Sequence, residues 1–266
     1  MITRLYRFKQ KISKKQFIDV HITDHCNLNC KGCGHFSSIS QPYGMSLEEM
    51  EIACKKLKPI LHKFFNSIHL MGGEPLLHPE VEGIMSLVRN YFPETEIQLI
   101  TNGIKIPVMP ESFWNTCRTN HIKIYVSRYP AGIDYERISQ IIDTNEVGYE
   151  LSGIRNKFIH HVYDPDGKQN PKESYSKCEF GGACLQFRDG KLFPCARAAY
   201  IPIFNKAFGQ NYQYCKGDFI EVDKLKSYWQ FWKFITRPIP FCRYCNMEKE
   251  HYEEWEKSKR KLEEWT

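Results

Sequence analysis

The sequence predicts an α/β fold, a partial (β/α) barrel with parallel strands. Two observations support this prediction. Short β-rich runs alternate with helix-length amphipathic segments across residues 17–165. Polar or glycine-containing runs also follow the predicted strands, as expected where parallel strands carry a binding site at their carboxyl ends. The alternation favours parallel strands joined by helical crossovers, hence an open or closed barrel.

Strands and helices are predicted in alternating order. The predicted strands cover 17–23, 67–72, 96–101 and 122–127, and the predicted helices cover 46–65, 79–91, 111–120 and 134–145. Ser46 begins a capping-box pattern, and Pro79 suits the first turn of the next helix. Either 148–152 or 158–163, or both, supplies a fifth strand.

Composition and cysteine usage indicate a cytoplasmic protein without a membrane partner. The chain has no apolar run of about eighteen residues, and its basic N-terminus, Met1 to Lys15, lacks the apolar segment of a signal peptide. Eleven cysteines cluster as C-x3-C-x2-C and C-x2-C. In a chain without a secretion signal, such clustering favours metal ligation over disulfides.

The net charge of +6 bears on the expected partners. The chain has no arginine–aromatic run and no recognised nucleic-acid module, so we expect no nucleic-acid partner. An anionic small molecule, for example a phosphorylated or nucleotide-linked one, fits the charge.

Three closely spaced cysteines follow the first predicted strand: Cys26, Cys30 and Cys33. Three thiolates in one loop suit a four-iron four-sulfur ([4Fe–4S]) cluster with one iron left open. A structural zinc or a fully ligated cluster takes four protein ligands, whereas three leave a coordination position for a substrate. The spacing therefore predicts a catalytic metal site.

A second motif, Met71-Gly72-Gly73-Glu74-Pro75, ends the second predicted strand. Together with the cysteine spacing, it resembles the radical S-adenosylmethionine (SAM) enzymes. The resemblance implies that the three cysteines hold a SAM-binding [4Fe–4S] cluster. It also implies that Gly72, Gly73 and Glu74 hold the methionyl amino group of SAM. Paired glycines allow close backbone approach, and a carboxylate suits an ammonium group.

Polar residues also end the third and fourth predicted strands, where the resemblance implies contacts to the ribose and carboxylate of SAM. The candidates are Asn102, Ser127 and Arg128. The alternative interpretation is a tight turn at Asn102 and a solvated side chain at Arg128. Gly32 stands where the family usually places a bulky residue, so the contact to adenine is expected from elsewhere in the chain.

The second half of the chain contains another cysteine set: Cys178, Cys195, Cys242 and Cys245. It resembles the twitch domain, a shortened relative of the SPASM extension, and the resemblance implies one auxiliary [4Fe–4S] cluster. The run 189–195 is interpreted as a hairpin that delivers the second ligand. A structural zinc site with four cysteines is the alternative.

Four cysteines stay outside these sets. Cys54 and Cys117 lie in predicted helices and are interpreted as buried apolar residues. Cys184 is interpreted first as a packing residue, then as a competing ligand, and in a third alternative as a hydrogen-atom donor to a substrate radical. Cys215 is left unassigned.

Turn-forming residues at 164–171 mark a domain boundary. The predicted division is a basic N-terminal lead at 1–16, the partial barrel at 17–165, a twitch-like hairpin and helix domain at 166–246, and an amphipathic C-terminal helix at 247–266.

The resemblance implies an enzyme that cleaves SAM to a 5′-deoxyadenosyl radical and takes hydrogen from a sugar- or cyclitol-like molecule, giving oxidation or epimerisation. An external one-electron reductant, such as flavodoxin or ferredoxin, is the implied partner. No catalytic side chain is assigned. Arg155 lies where a relative has a substrate-contacting arginine, although a solvated loop residue is the simpler interpretation.

Two alternative functions are weighed. The first is a peptide-modifying maturase that forms thioether or carbon–carbon bonds or epimerises residues. Against it, residues 1–16 are too few to form a leader-binding domain before the first strand. The second is a non-catalytic iron–sulfur electron carrier, which would have no need for the Gly-Gly-Glu motif beside an open iron.

Overall fold

The computed structural model describes residues 16–266, and an eight-stranded sheet organises this part of the chain. Five parallel strands form one side of the sheet: β1 (Gln16–Thr23), β2 (Phe65–Gly72), β3 (Glu96–Thr101), β4 (Ile122–Arg128) and β5 (Tyr149–Ile154). Each pairs in parallel with the next along the chain. The predicted α/β fold with parallel strands is confirmed, whereas nearly all of the basic lead at 1–16 lies outside the described residues.

Helices connect these strands: α1 (Leu47–Leu57), α2 (Leu61–Phe64), α3 (Val81–Tyr91), α4 (Glu111–Thr119) and α5 (Tyr135–Thr144). The capping box at Ser46 forms as predicted, with Glu49 as its partner. The single helix predicted over 46–65 is wrong, because α1 ends before Pro59 and residue 65 already begins β2. Proline has no N–H to donate, so the i→i−4 hydrogen bonds of α1 stop at Lys58, whose N–H still donates to the Cys54 carbonyl.

The second half of the chain extends the same sheet. It adds β7 (Gln186–Arg188), β8 (Lys191–Phe193) and β9 (Ile220–Glu221), so that the strand order is β5-β4-β3-β2-β1-β7-β8-β9. β7 runs parallel to β1, while β8 and β9 are antiparallel additions. The hairpin expected at 189–195 turns at Asp189 and Gly190, both with positive φ.

Three helices follow in this half: α6 (Pro171–Lys177), α7 (Ala196–Phe208) and α8 (Tyr228–Ile235). The core has two parts. One lies between the parallel strands and their helices, and the other is an aromatic cluster around α7 that includes Phe36, Phe204 and Trp265. No helix within residues 16–266 is long and apolar enough to cross a membrane.

The amphipathic helix predicted at 247–266 is wrong. This segment instead forms β10 (His251–Glu254), which pairs antiparallel with β6 (Lys157–His160), and a short 3-10 turn at Leu262–Glu264. The backbone hydrogen bonds of β10 go to a strand about ninety residues earlier in the chain, and periodicity within the segment carries no signal for such a partner. Both 148–152 and 158–163 contain strands, but only β5 joins the main sheet.

Candidate active site

The loop after β1 brings three of the predicted metal ligands to one cavity. Cys26, Cys30 and Cys33 all line a cavity of about 370 Å³ at the carboxyl ends of the parallel strands. Cys30 is buried, and the other two are partly exposed. A backbone bridge between Cys30 and Lys257 holds the loop against the C-terminal segment. The three thiols are therefore presented together on one wall.

Hydrogen-bond donors point at two of these sulfurs. Trp255 Nε1 lies 3.1 Å from Cys30 Sγ, and the N–H of Leu28 lies 3.4 Å from Cys26 Sγ. Burial raises the pKa of Cys26 to about 12 and also raises that of Cys30. A bound metal offsets this cost, because a cation favours thiolate over thiol. The donor set therefore fits a cluster with three thiolate ligands.

The end of β2 packs against the entry to the cysteine loop. The N–H of Gly73 donates to the carbonyl of Thr23 at 2.9 Å, and that of Glu74 donates to the carbonyl of His25 at 2.9 Å. A Cβ at Gly72 would lie 2.0 Å from the Thr23 carbonyl oxygen, and one at Gly73 would lie 2.0 Å from that of His25. Only glycine fits this approach. Both glycines line the cavity.

Glu74 is placed differently from the other residues of its motif. Its carboxylate is fully buried, and the residue does not line the cavity. Oε1 accepts from the N–H of Leu76 at 3.0 Å and from Thr101 Oγ1 at 2.6 Å, and Oε2 accepts from the N–H of Asn102 at 2.8 Å. Burial raises its pKa to about 7. The carboxylate thus holds strand ends together, whereas the resemblance implies that it contacts the methionyl amino group of SAM.

Of the three polar candidates at the ends of β3 and β4, two line the cavity and one does not. Asn102 and Ser127 line the cavity. The side-chain amide of Asn102 donates to Asn27 Oδ1 at 2.8 Å and lies 3.7 Å from Cys26 Sγ. Arg128 does not line the cavity, because its guanidinium bonds the Ser152 carbonyl at the neighbouring strand. The alternative interpretation, in which the Arg128 side chain is solvated, also differs from the structure, because the guanidinium is half-buried and bonded to the backbone.

Aromatic side chains that the sequence analysis did not assign also line the cavity: Tyr129, Phe158, Phe180 and Tyr252. The rings of Tyr129 and Phe158 lie 6.0 Å apart. Tyr129 directly follows β4, a position at which a parallel strand is expected to present functional groups. Phe158 and Tyr252 come from the β6–β10 ribbon, for which the sequence carries no comparable signal. These rings form an aromatic part of the cavity wall.

The second cysteine set meets at a smaller cavity of its own. Cys178, Cys195, Cys242 and Cys245, the four predicted ligands, all line it. Burial raises the pKa of Cys245 to about 12 and also raises that of Cys242. Four thiols around one small cavity fit a metal centre with four thiolate ligands, either an iron–sulfur cluster or zinc.

Arg197 lies in the wall between the two cavities and lines both of them, as does Cys195. One guanidinium nitrogen of Arg197 lies 3.7 Å from Cys178 Sγ, and the other lies 3.3 Å from Glu250 Oε2. The same carboxylate oxygen lies 2.7 Å from His161 Nδ1. A buried cation therefore stands beside the four-cysteine site, where it favours negative charge on the sulfurs.

The remaining cysteines fall into three environments. Cys54 and Cys117 are buried in the core, as predicted. Cys184 lines the main cavity together with Cys195, and it does not line the four-cysteine cavity. Burial raises the pKa of Cys184 to about 12. Cys215 is exposed.

Sequence comparisons agree with this geometry. Residues 20–126 match the model of the radical SAM superfamily. The GTP 3′,8-cyclase of Sulfurovum sp. (strain NBC37-1) is 28% identical over 94 residues, which is 34% of this chain and 28% of that protein. The GTP 3′,8-cyclase of Mycobacterium ulcerans (strain Agy99) is 24% identical over 165 residues, 60% of this chain and 46% of that protein. The chain thus spans less than half the length of these curated relatives.

A solved structure agrees in fold over nearly the whole chain. BtrN, crystallised in complex with AdoMet and 2-DOIA, superposes with a TM-score of 0.53 at 16% identity, covering 88% of this chain and 94% of that one. At this identity the likeness concerns the fold. Residues 20–126 are a radical SAM domain, and the cofactors of such a domain are SAM and a [4Fe–4S] cluster.

Proposed function

We propose that this protein is an enzyme that reductively cleaves SAM and takes hydrogen from a small sugar- or cyclitol-like substrate, which is then oxidised. One observation carries the proposal. Both cysteine sets reach the same cavity, which has Cys26, Cys30 and Cys33 on one wall and Cys195 on another. Its volume of about 370 Å³ suits small molecules. An external one-electron reductant, such as flavodoxin or ferredoxin, completes the proposed reaction.

In this proposal the first cysteine set holds the SAM-binding cluster, which when bound supplies the electron that splits the sulfonium. The backbone of Gly72 and Gly73 faces the methionyl group, and Asn102 and Ser127 contact its carboxylate or the ribose. Glu74 acts as a positioning residue, because its oxygens are already occupied by donors of the chain itself. Arg128 is given no contact to SAM.

The second cysteine set is proposed to hold one auxiliary [4Fe–4S] cluster, which when bound would supply a one-electron acceptor. Two features support this assignment over structural zinc. Cys195 lines both cavities, so this site adjoins the space for the substrate. Arg197 provides a buried positive charge beside Cys178, as suits a centre that gains an electron.

The charges around the main cavity support an anionic substrate. Arg155, Lys157 and Arg197 line it, and no carboxylate is found among its described lining residues. The guanidinium of Arg155 makes no hydrogen bond or ion pair within residues 16–266, whereas Lys157 is paired with Glu254 and one guanidinium nitrogen of Arg197 is paired with Glu250. Several curated relatives are named for GTP, a nucleotide with such charge. A phosphorylated sugar has the same chemistry.

A substrate screen tests this proposal. Reconstituted protein, dithionite and SAM would be mixed with glucose 6-phosphate, myo-inositol 1-phosphate or GTP, and in parallel with glucose or myo-inositol. We expect phosphorylated compounds to raise the rate of 5′-deoxyadenosine formation. Arg155→Ala should abolish that rise, and Arg137→Ala, on the exposed side of α5, should retain it. Equal stimulation by neutral compounds would contradict the anionic assignment.

Epimerisation is the second candidate, and the position of Cys184 favours it. This thiol lines the substrate cavity and stays protonated at neutral pH, as a hydrogen-atom donor must. If Cys184 returns a hydrogen atom, product formed in deuterium oxide will carry one deuterium, and Cys184→Ser will accumulate the oxidised or unquenched product instead. If the reaction is oxidation alone, the product will carry no deuterium from the solvent. The Cys184→Ser variant will then keep full activity.

A further inference from the structure

The ribbon of β6 and β10 carries three potential metal ligands outside both cysteine sites. His160, His251 and Glu253 each offer one donor atom, and these atoms lie within 4.8 Å of one another. None of the three lines the main cavity. His160 and His251 are direct partners across the ribbon, and Glu253 lies two residues further along β10. All three side chains therefore share one face of the ribbon.

The donor atoms have the spacing of ligands around one ion. Glu253 Oε1 lies 3.2 Å from His160 Nδ1 and 3.3 Å from His251 Nε2. Around a tetrahedral ion with bonds of about 2.0–2.1 Å, neighbouring ligand atoms lie about 3.3–3.4 Å apart. The two imidazole rings are nearly parallel, with centroids 4.9 Å apart. Because each nitrogen lone pair lies in its ring plane, one of these stacked rings must turn about its side-chain bonds for both to face a shared ion.

The two ligands on β10 are already oriented by neighbouring groups. His251 Nδ1 lies 2.9 Å from the carbonyl oxygen of Lys249, which keeps the proton on Nδ1 and leaves an unprotonated Nε2 facing Glu253 Oε1 at 3.3 Å. Glu253 Oε2 lies 2.7 Å from Lys31 Nζ, which leaves Oε1 directed at the histidines. Ligating histidines and carboxylates in metal sites have such outer partners.

His160 supplies a further and independent observation. Its side chain is only 10% exposed, and the buried Nδ1 forms no well-aligned hydrogen bond within the described structure, although Glu253 Oε1 lies 3.2 Å away. A buried nitrogen whose hydrogen bond is poorly formed costs free energy, and an ion bound between this nitrogen and the Glu253 carboxylate would remove that cost. We propose that His160, His251 and Glu253 bind a divalent transition metal of the zinc class, with water in the open position. Glu253 also forms an ion pair with Lys31, which lies between Cys30 and Gly32, so the proposed site is in contact with the cysteine loop.

Zinc binding to the iron-loaded protein tests this proposal. Anaerobically reconstituted protein would be dialysed against ZnCl2 at a range of free zinc concentrations, and zinc and iron would be measured by mass spectrometry. We expect one zinc per chain, bound without loss of iron. His251→Ala and Glu253→Gln should weaken this binding about tenfold or more. Both residues are partly exposed, so neither change should prevent folding.

His62→Ala serves as the control, since His62 is an exposed histidine on α2. It should bind zinc as the unaltered protein does. Two results would overturn the proposal: no zinc bound by the iron-loaded protein, or equal binding by His251→Ala, which would place the zinc elsewhere. Neither result depends on SAM cleavage, so the metal site and the proposed enzymatic activity can fail separately.

Discussion

The Oε2 atom of Glu74 accepts the backbone N–H of Asn102 at 2.8 Å, and this contact ties the end of β2 to the end of β3. The other carboxylate oxygen accepts from Thr101 and from Leu76, so one buried side chain satisfies three donors. Asn102 in turn reaches toward Cys26. The glutamate therefore links the diglycine strand end to the cysteine loop without facing the cavity itself.

Removing this carboxylate should destabilise the domain. Glu74→Ala leaves three buried donors without an acceptor, at a cost of about 1–3 kcal/mol for each such group. We expect the free energy of unfolding to fall by about 3 kcal/mol or more, measured by urea denaturation followed by circular dichroism. Glu80→Ala is the matched control, because Glu80 is exposed, and it should change the same quantity by less than about 0.5 kcal/mol. A loss equally small in Glu74→Ala would show that the contacts are dispensable.

The buried glutamate should also make stability depend on pH. Its pKa is about 7, against an ordinary value of 4.5, because burial disfavours the ionised form. Between these pH values the unfolded chain gives up the proton while the folded chain keeps it. The free energy of unfolding therefore falls as pH rises, by about 3 kcal/mol over this window.

Glu74→Gln cannot ionise and should lack this contribution. Relative to the unaltered protein, the variant should gain about 3 kcal/mol in free energy of unfolding between pH 4.5 and pH 7. Thermal unfolding of both proteins across this range gives the comparison, since the remaining titrating groups are common to the pair. A difference that stays constant with pH would mean that Glu74 titrates normally.

Iron content should separate the two cysteine sites. Two [4Fe–4S] clusters correspond to about eight irons and eight sulfides per chain. We expect Cys30→Ala and Cys242→Ala each to lose about half of both, because each removes a ligand from a different site. Cys215→Ala, which alters an exposed cysteine, should lose none. Four irons together with one tightly bound zinc would instead make the second site structural.

Trp255 should tune the cluster of the first site. Its indole N–H lies 3.1 Å from Cys30 Sγ, and N–H donors stabilise negative charge on a ligating sulfur. Because the reduced cluster is the more negative state, Trp255→Phe should lower its reduction potential, measured by redox titration with electron paramagnetic resonance. Trp229→Phe, a change at an exposed tryptophan of α8, should leave the potential unchanged. A potential unaffected by Trp255→Phe would rule out this hydrogen bond in the loaded protein.

Much of the fold could be predicted because it is encoded in local patterns. Strands β1 to β4 and their helices follow from hydrophobic periodicity, and the capping box at Ser46 fixes the start of α1. The three cysteines, Gly72 and Asn102 could be placed together, because parallel strands end at the same edge of a sheet.

What could not be predicted depends on contacts between distant segments. β10 becomes a strand only by pairing with β6, and β7 joins the main sheet only by pairing with β1. The directions of the Glu74 and Arg128 side chains are set by hydrogen bonds to neighbouring strands, which residue type and spacing do not specify. Phe158 and Tyr252 were missed for the same reason, whereas Tyr129 could have been found from its position directly after β4.

Formation of 5′-deoxyadenosine from SAM tests the central claim most directly. Anaerobically reconstituted protein would be mixed with dithionite and SAM, and the nucleoside would be measured by liquid chromatography alongside Cys30→Ala and Cys215→Ala. We expect the nucleoside from the unaltered protein and from Cys215→Ala, and at least a hundredfold less, about the background level, from Cys30→Ala. A fully iron-loaded protein that makes no 5′-deoxyadenosine would contradict both enzymatic functions. The remaining hypothesis would be a non-catalytic iron–sulfur electron carrier.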